Sequence, residues 1–370
     1  METNQRLYSL DVFRGMTVAA MILVNNPGSW NHVYSPLLHA HWNGCTPTDL
    51  IFPFFLFIVG VSIHFGYQQK KEEGLTKNII LKIIKRSAII FALGIFLSLF
   101  PKFNFEVVRI PGVLQRISIV FLVCSMVYLT TQWITQLRVG ILLLLGYYLL
   151  MTFIPVPDFG PANLEPETNL GAWLDRLLFE GHLWVQSKTW DPEGLLSTTP
   201  AIATGILGML IGQLISNVKE VSVRVTWMFF IGAMLIVTGL ACDLIFPINK
   251  SLWTSSFVLY TGGIAIQFLA ACHWIIDVQD YRKAFMPFVY YGTNALFVFV
   301  ASGLLAKTLS RWKIIMADGQ EVSAWTYLYL NGYESWLPPK IASLFLALTL
   351  LVLFFIILRW MYSRKMFVKI

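Results

Sequence analysis

Long apolar segments recur along the whole chain, and they constrain its fold more than any other feature of the sequence. Residues 88–100 and 341–358 are two examples that contain almost no polar side chain. The hydrocarbon core of a bilayer is about 30 Å thick and needs roughly 20 apolar residues per spanning helix. A soluble protein with a large core would instead need helices with one polar face. The pattern therefore predicts an all-α, polytopic membrane protein.

The composition supports this fold class. Hydrophobic residues make up 56% of the 370 residues and charged residues only 13%, whereas soluble domains are about one quarter charged. We expect one transmembrane domain over residues 1–370, with about ten spanning helices and one long extracytoplasmic loop at about 155–197. The ten predicted spans are 10–27, 49–67, 79–100, 112–131, 137–154, 199–216, 225–246, 254–276, 284–305 and 340–361.

The basic residues predict the orientation. Short loops rich in Lys and Arg stay in the cytoplasm, and the N-terminus, the even-numbered loops and the C-terminal tail hold most of them. Those residues are Arg6, Lys70, Lys71, Lys77, Lys82, Lys85, Arg86, Arg138, Lys219, Arg224, Arg282, Lys283, Arg359, Arg364, Lys365 and Lys369. The loop 28–48 has no Lys or Arg. We therefore expect a cell (inner) membrane protein with both termini in the cytoplasm. Topology also explains the net charge of +7 without nucleic acid as a partner.

The cysteines and histidines do not predict a metal site. Three of the four cysteines lie in apolar runs, and their spacing fits neither a metal site nor a disulfide framework. His32, His39 and His41 share one loop, but the sequence offers no paired ligands elsewhere. We therefore expect no metal.

The stretch HAHWNGCTPTDLIFPFFLF, residues 39–57, places proton-handling side chains just before an apolar helix. Thr46 has the form of an N-cap, Pro47 fits the first helical position, and Asp49 can close a capping box. His39 can accept a proton near neutral pH, and a nearby carboxylate would orient its ring. At this stage Asp49 can serve either the helix start or His39.

Polar side chains within or beside the predicted spans are further candidates, because burying them in a bilayer is costly. Asn25 lies at the outer end of the first span. At the inner end of the same span, Asp11 and Arg14 can pair with each other. Arg116 lies in the outer half of the fourth span, where either a function or a buried pair would explain it. Asn294 lies deep in the ninth span, where hydrogen bonds between helices are the alternative to a function.

Two loops carry concentrated charge. The inner loop 68–86 is basic, which fits topology, contact with anionic lipid, or a phosphate anchor. The outer loop 155–197 is acidic and contains an amphipathic piece at 170–179 that can lie on the membrane surface. This loop is either simply solvated or forms an acidic vestibule that attracts a cationic substrate.

Several motifs together resemble the heparan-α-glucosaminide N-acetyltransferase family of transmembrane acyltransferases, over nearly the whole chain. They are LDVFRG at 10–15, HAHWNGCTPTDLIFPFFLFIVG at 39–60, RIPGVLQR at 109–116, DPEG at 191–194, NKSLWTSSF at 249–257 and the ending RKMFVKI. The resemblance is to a bacterial-type form without the N-terminal lumenal domain of the lysosomal enzyme. This difference leaves the acceptor open among free amino sugars, cell-wall fragments and other glycans.

The resemblance implies a membrane acetyltransferase that takes acetyl from cytoplasmic acetyl-CoA and transfers it to a glucosamine-type amine on the other side. His39 matches the family's catalytic histidine, and Asn25 and Asp49 match polar residues of its active site. The residues expected to contact acetyl-CoA are Arg14, Lys85, Arg86, Arg116 and Asn294. The expected partners are an amino-sugar or glycan acceptor and the lipid bilayer, with a homodimer left open.

Two other functions remain open. An amino-sugar transporter without chemistry would also have ten spans and polar residues near the membrane midplane, although the sequence shows no repeated halves. A polysaccharide O-acetyltransferase would differ only in the acceptor atom. The sequence also leaves open whether the acetyl group is transferred directly or through an acetyl-histidine intermediate.

Overall fold

The computed structural model describes residues 7–316 and 319–368, and almost all of its regular structure is helical. Two 3₁₀ turns, Ser35–Leu37 and Pro47–Leu50, precede the second helix, and a short antiparallel hairpin joins β1 (Lys313–Ile315) to β2 (Glu321–Ser323). The helices are α1 (Tyr8–Asn25), α2 (Ile51–Glu73), α3 (Lys77–Leu99), α4 (Val113–Thr130), α5 (Trp133–Phe153), α6 (Leu170–Phe179), α7 (Leu195–Asn217), α8 (Val221–Asp243), α9 (Ser255–Cys272), α10 (Arg282–Thr293), α11 (Ala295–Arg311), α12 (Ala324–Tyr329) and α13 (Pro339–Ser363). The π-helical segment His273–Val278 extends α9, and the π-helical segment Leu330–Glu334 extends α12.

The predicted all-α, multi-pass membrane fold is confirmed, but the count of ten spans is not. Every predicted span contains a helix, and the ninth contains two helices that bend by 69° at Asn294. Among the described residues, seven helical segments are long and apolar enough to cross a bilayer, or eight with the bent pair. The helices α1 and α3 are not among them. Arg6 and Lys369, which contribute to the predicted cytoplasmic charge, lie outside the described residues.

Glycines bring α2 and α7 into close contact. A methyl group on Gly60 of α2 would collide with the carbonyl oxygen of Gly205 in α7. A methyl group on Gly208 would in turn collide with the carbonyl oxygen of Phe57. Small residues that let two backbones approach are typical of helix packing in membranes, where lipid offers no hydrophobic drive for association. These close contacts fix the middle of α2 against α7.

The helices α1 and α10 meet in the same way. Gly15 faces the carbonyl oxygen of Phe288, and Gly292 faces that of Asp11. Arg14 lies beside this contact, where it donates hydrogen bonds to the Gly292 carbonyl oxygen at 3.3 Å and to Ser62 Oγ of α2 at 2.8 Å. The first helix is thus tied to α2 and to the bent helix pair.

The connections between helices lie at two opposite ends of the bundle. At one end, which we call the His39 end, residues 26–50, 109–112, 154–194 and 244–254 meet. At the other, the Lys71 end, Lys71 Nζ lies 2.6 Å from the carbonyl oxygen of Thr131, just beyond α4. The helix α2 runs from one end to the other. With a rise of 1.5 Å per residue, its 23 residues are about 35 Å long, enough to cross the hydrocarbon core of a bilayer.

The outer helices expose apolar side chains. Leu142 and Leu145 of α5 and Phe230 and Val237 of α8 are each about half exposed or more. Such faces would aggregate in water, but they suit a helix whose outer surface contacts lipid. Many of the buried side chains come from α1, α2, α4, α7 and α9, which carry the candidate site at their ends.

Candidate active site

The side chain of Asp49 is the structural centre of the His39 end. It lies in the 3₁₀ turn that leads directly into α2 and is 1% exposed. Its Oδ2 accepts hydrogen bonds from the backbone N–H groups of Thr46 at 2.9 Å and Ala40 at 3.0 Å. The Thr46 hydroxyl lies 3.0 Å from the same oxygen. Asp49 therefore closes the capping box that starts the helix, and it fixes the loop that carries His39.

The second carboxylate oxygen of Asp49 contacts His39. The distance from His39 Nδ1 to Asp49 Oδ1 is 2.7 Å. Because an ionised carboxylate only accepts hydrogen bonds, Nδ1 carries the proton and Nε2 is left with its lone pair when the ring is neutral. The side chain of His39 is 51% exposed, so a substrate can reach Nε2. This is the arrangement of a general base held by an orienting carboxylate.

Lys250 completes the cluster, although no sequence pattern predicted its place there. Its Nζ lies 3.0 Å from His39 Nδ1, 3.2 Å from His39 Nε2 and 3.6 Å from Asp49 Oδ1. Its side chain is 19% exposed. Lys250 is 211 residues from His39 in the chain, so no local pattern links the two. The one available signal was a lysine within the NKSLWTSSF motif, in the short connection between two apolar helices.

The Lys250 loop is bound to the His39 loop through backbone and amide contacts. The N–H of Gly44 donates to the carbonyl oxygen of Ile248 at 2.7 Å. Asn249 Nδ2 donates to Asn43 Oδ1 at 3.1 Å, and Asn249 Oδ1 accepts the N–H of Leu252 at 2.8 Å. Gly44 has a φ of +106°, a conformation that glycine adopts without strain. These contacts hold Lys250 against His39.

A second charged group lies beside this cluster, at the start of α7. Arg109 donates from Nε to Asp191 Oδ2 at 2.8 Å and from Nη2 to Asp191 Oδ1 at 2.6 Å, and it also binds Glu193. Burial opposes the charge of Arg109, but the two carboxylates outweigh it and raise the pKa of Arg109 above its usual range. The fork of a guanidinium suits such bidentate pairing. The DPEG segment is therefore fixed, and the charge of its Glu193 acts on Lys250.

Burial shifts the protonation of the neighbouring groups. Asp175 of α6 is 2% exposed, and burial raises its pKa to about 7, although the N–H of Leu195 donates to its Oδ1 at 2.9 Å. Burial also lowers the pKa of Lys250, while the charges of Asp49 and Glu193 oppose that change. Burial raises the pKa of the Cys45 thiol to about 12, so this thiol stays protonated at neutral pH.

Arg116 lies at the His39 end and is 1% exposed. Its Nη2 donates to the Gly194 carbonyl oxygen at 3.2 Å and to Ser197 Oγ, and its guanidinium lies 5.0 Å from the centre of the Trp253 ring. Within residues 7–316 and 319–368, its Nε and Nη1 have no hydrogen-bond partner. By helix rise, Arg116 is about 21 Å from the Lys71 end of α4. Arg116 therefore lies far from the basic inner loop, and its contact with acetyl-CoA stays a prediction.

Asn25 and Asn294 make no hydrogen bond with His39, Asp49 or Lys250 among the described residues. Asn25 is exposed at the end of α1, and no hydrogen bond in the described part of the chain joins it to His39 or Asp49. Asn294 lies at the bend between α10 and α11, where it binds the Met366 carbonyl oxygen at 3.2 Å and the Val368 N–H at 2.9 Å.

Of the predicted phosphate contacts, Lys85 and Arg86 are exposed on α3. The Arg86 guanidinium lies 4.8 Å from the centre of the Phe121 ring, in a cation–π contact. Arg14, by contrast, binds Asp11 Oδ1 at 3.1 Å as well as Ser62 and Gly292. No three His, Cys, Asp or Glu side chains converge on a metal position anywhere in the described ranges.

Comparisons with known proteins agree with the motifs. Residues 6–174 match the family model described as "Heparan-alpha-glucosaminide N-acetyltransferase, catalytic". The human protein named heparan-alpha-glucosaminide N-acetyltransferase is 29% identical over 368 residues, which are 84% of this chain and 54% of the human protein. The mouse protein of the same name is 29% identical over 374 residues, which are 85% of this chain and 56% of the mouse protein. The chain thus spans about half the length of these curated relatives. The predicted resemblance is confirmed: residues 6–174 are similar to the catalytic domain of the heparan-alpha-glucosaminide N-acetyltransferase family, and the similarity to the two curated proteins extends over 84% and 85% of the chain.

Proposed function

We propose that this protein transfers acetyl from cytoplasmic acetyl-CoA to the amine of a glucosamine-type sugar on the opposite side of the membrane. The observation that carries the proposal is the His39–Asp49 pair at 2.7 Å, located at the far end of α2 from the basic residues Lys70 and Lys71. A base and a cationic anchor for phosphates are thus separated by about the thickness of a bilayer core. The family match supports the acetyl transfer, and the separation supports the transmembrane route.

His39 acts as the general base in this proposal. As the acceptor nitrogen attacks the thioester carbonyl carbon, a C–N bond forms and the carbonyl electron pair moves to oxygen. His39 Nε2 takes the proton that the nitrogen loses, while Asp49 Oδ1 holds Nδ1–H and stabilises the charged ring. The oxyanion then returns its electron pair, the C–S bond breaks, and His39 gives its proton to the leaving sulfur. Asn25, at the rim of the same end, stays a predicted contact of the substrates.

The residues at the Lys71 end fit the phosphates of acetyl-CoA. Lys85 and Arg86 are exposed cations on α3, and lysine and arginine both bind phosphate well. A phosphate head bound there would stay on the cytoplasmic side, and only the uncharged arm with its thioester would enter the protein. This route avoids moving a polyanion through hydrocarbon, which is expensive. Arg14, Arg116 and Asn294 would contact other parts of the same ligand.

The test is acetyl transfer by purified protein in proteoliposomes, with acetyl-CoA and an amino-sugar acceptor on opposite sides. The acceptors to compare are glucosamine, chitosan fragments and de-acetylated glycosaminoglycan ends. We expect His39→Ala to lower the rate by about 10²–10⁴-fold, the usual contribution of a general base. His41→Ala is the matched control, because His41 is exposed in the same loop, and its rate should stay close to that of the wild type. Full activity of His39→Ala would refute the assigned base.

A labelling experiment separates the two chemical routes. Wild-type protein is incubated with radiolabelled acetyl-CoA without acceptor, then denatured and separated from free label. Direct transfer predicts no bound label. An acetyl-histidine intermediate predicts label on the wild type that His39→Ala lacks.

The bend between α10 and α11 is the observation that favours a transporter instead. A spanning helix broken by 69° at Asn294 resembles the discontinuous helices that bind substrates in transporters. Uptake of labelled amino sugar into proteoliposomes without acetyl-CoA, with His39→Ala unaffected, would support that function. A product acetylated on oxygen, detected by its sensitivity to mild base, would support polysaccharide O-acetylation.

A further inference from the structure

The position of Lys250 Nζ against the His39 ring is unusual for a simple hydrogen bond. The two distances, 3.0 Å to Nδ1 and 3.2 Å to Nε2, are nearly equal. The lone-pair directions of the two ring nitrogens diverge in the ring plane, so one ammonium cannot lie on both. Asp49 already occupies the Nδ1 direction. The ammonium therefore lies against the ring, between the nitrogens, and leaves the Nε2 lone pair accessible.

The ammonium also keeps a donor for another group. A lysine ammonium has three N–H donors. In the part of the chain that the structure describes, the groups within hydrogen-bond or ion-pair distance of Nζ are His39 and Asp49. At least one N–H is consequently not used by the protein. His39 is half exposed while Lys250 is mostly buried, so this donor is held at the base of an accessible surface.

The reacting atoms would come close to that donor. An amine that gives its proton to His39 Nε2 lies about 2.6–3.2 Å from it, and Nε2 is itself 3.2 Å from Nζ. The carbonyl carbon that the amine attacks is one bond further, and the carbonyl oxygen is attached to that carbon. Negative charge therefore develops on an oxygen within reach of the Lys250 ammonium.

We propose that Lys250 is a further catalytic residue whose ammonium donates a hydrogen bond to the oxyanion formed when the amine attacks the thioester. The proposal rests on the acetyl transfer proposed above. Lys250 takes no proton in this step and forms no covalent bond. It stabilises charge that exists only between C–N formation and C–S cleavage, which is the kind of interaction that raises kcat.

The surrounding charges keep Lys250 suited to this role. Asp49 faces it from the turn before α2, and Glu193 acts on it from the DPEG segment. The Cys45 thiol also faces it and stays protonated, because burial raises its pKa to about 12. Burial lowers the pKa of Lys250, and the charges of the two carboxylates oppose this change. The lower pKa makes the ammonium a stronger hydrogen-bond donor. Asn25, which the resemblance places among the polar residues of the active site, is exposed, and no hydrogen bond among the described residues joins it to His39.

The first test compares three variants in the proteoliposome assay. Lys250→Met removes the charge but keeps most of the stem, Lys250→Arg keeps a cation, and Lys313→Met is the control. Lys313 is 58% exposed on β1 and pairs only with the exposed Glu321 among the described residues. We expect Lys250→Met to lower kcat about 10²–10³-fold with KM for acetyl-CoA changed less than threefold. Lys250→Arg should recover part of kcat, and Lys313→Met should match the wild type.

The second test is the alkaline side of the pH profile, which a purely structural role would not change. Wild-type kcat should fall at high pH as the Lys250 ammonium loses its proton. Lys250→Arg should remove this fall, because a guanidinium stays charged. This comparison also decides the question if Lys250→Met does not fold. An unchanged alkaline fall in Lys250→Arg, or full kcat in folded Lys250→Met, would overturn the role of Lys250. Absence of acetyl transfer in the wild type would instead overturn the proposed function itself.

Discussion

Asp49 shows how one buried carboxylate can serve a helix terminus and a titratable side chain together. Its Oδ2 receives the N–H groups of Ala40 and Thr46, and its Oδ1 receives His39 Nδ1. The sequence offered these two roles as alternatives, but the two oxygens of one carboxylate fulfil both. The helix start thus fixes the carboxylate, and the carboxylate fixes the imidazole.

The two roles of Asp49 can be separated by two substitutions. The amide oxygen of asparagine can accept the N–H groups of Ala40 and Thr46 in place of Oδ2, so Asp49→Asn should change the thermal midpoint little. It should nevertheless lower kcat about 10²–10⁴-fold, because the amide NH2 would donate to Nδ1, which fixes the wrong tautomer of His39 and does not stabilise its charge. The measurements are acetyl transfer and thermal unfolding of the same detergent-purified samples.

Thr46→Ala is the counterpart that tests the helix start alone. It removes the hydroxyl that lies 2.7 Å from the Leu38 carbonyl oxygen and 3.0 Å from Asp49 Oδ2. We expect a loss of about 1 kcal/mol in stability and a change of less than threefold in kcat. The catalytic role of Asp49 would be contradicted if Asp49→Asn mainly lowered the thermal midpoint.

At the residue scale, a contact could be predicted from the sequence only where the two residues are close along the chain. Asp49 follows His39 by ten residues, and a capping motif places it, so their contact could be predicted. Lys250 reaches His39 across 211 residues, and Asn294 reaches Met366 and Val368 across 72 and 74. Contacts of this kind depend on how helices assemble, which local propensity and hydrophobic pattern do not encode.

At the scale of elements, the apolar pattern of the sequence predicted where the helices lie but not where they bend. The amphipathic segment predicted at 170–179 is the helix Leu170–Phe179, although its position relative to the membrane stays a prediction. The span predicted at 284–305 is instead two helices with a bend of 69°. Gly292, next to the bend, is pressed against the backbone of Asp11 in α1. The break thus arises where tertiary packing meets residues with weak helix propensity.

Two glycines of α2 provide a direct test of helix packing. Gly60 faces the Gly205 carbonyl oxygen, whereas an added methyl group on Gly66 would meet no atom within 4 Å. Gly60→Ala should force α2 and α7 apart and destabilise the protein by about 1–3 kcal/mol or more. Gly66→Ala should be neutral or stabilising by up to about 1 kcal/mol, because alanine favours the helix. Thermal unfolding in detergent measures both, and equal midpoints for the two variants would contradict the observed crossing.

The contact between α6 and α7 should make stability depend on pH. The pKa of Asp175 is about 7 in the folded protein and about 4 in an unfolded chain. Between these values the folded state binds the proton more tightly, so stability decreases as pH rises from 4 to 7 and then levels off. Asp175→Asn still accepts the N–H of Leu195 and does not titrate.

The measurement is the thermal midpoint of both proteins from pH 5 to pH 8. The wild-type midpoint should fall relative to that of Asp175→Asn across this range, and the variant should be the more stable protein at pH 8. Asp191 and Glu193 titrate in both proteins, so the difference between them reports Asp175. Parallel curves would show that ionisation of Asp175 is not coupled to folding.

At the scale of the whole molecule, the two ends of the bundle differ in chemistry. The His39 end holds His39, Asp49 and Lys250 together with the acidic DPEG segment. The Lys71 end holds the half-buried Lys70 and Lys71 of α2 and the exposed cations of α3. Because α2 runs from one end of the bundle to the other, the orientation of α2 in the membrane decides which end faces the cytoplasm. A reaction that draws acetyl-CoA from the cytoplasm requires the Lys71 end inside.

This orientation can be tested with two positions that flank α2. In a variant without its four native cysteines, His41→Cys reports the loop before the helix and Glu73→Cys reports its final residue, and both positions are exposed. A membrane-impermeant maleimide added to intact cells or spheroplasts should label His41→Cys at once and Glu73→Cys only after the membrane is permeabilised. The loop 28–48 has no Lys or Arg and the loop 68–86 is basic, which is the asymmetry that favours this orientation. The reverse labelling would place His39 in the cytoplasm, where acetyl-CoA and acceptor would meet without any need for a transmembrane route.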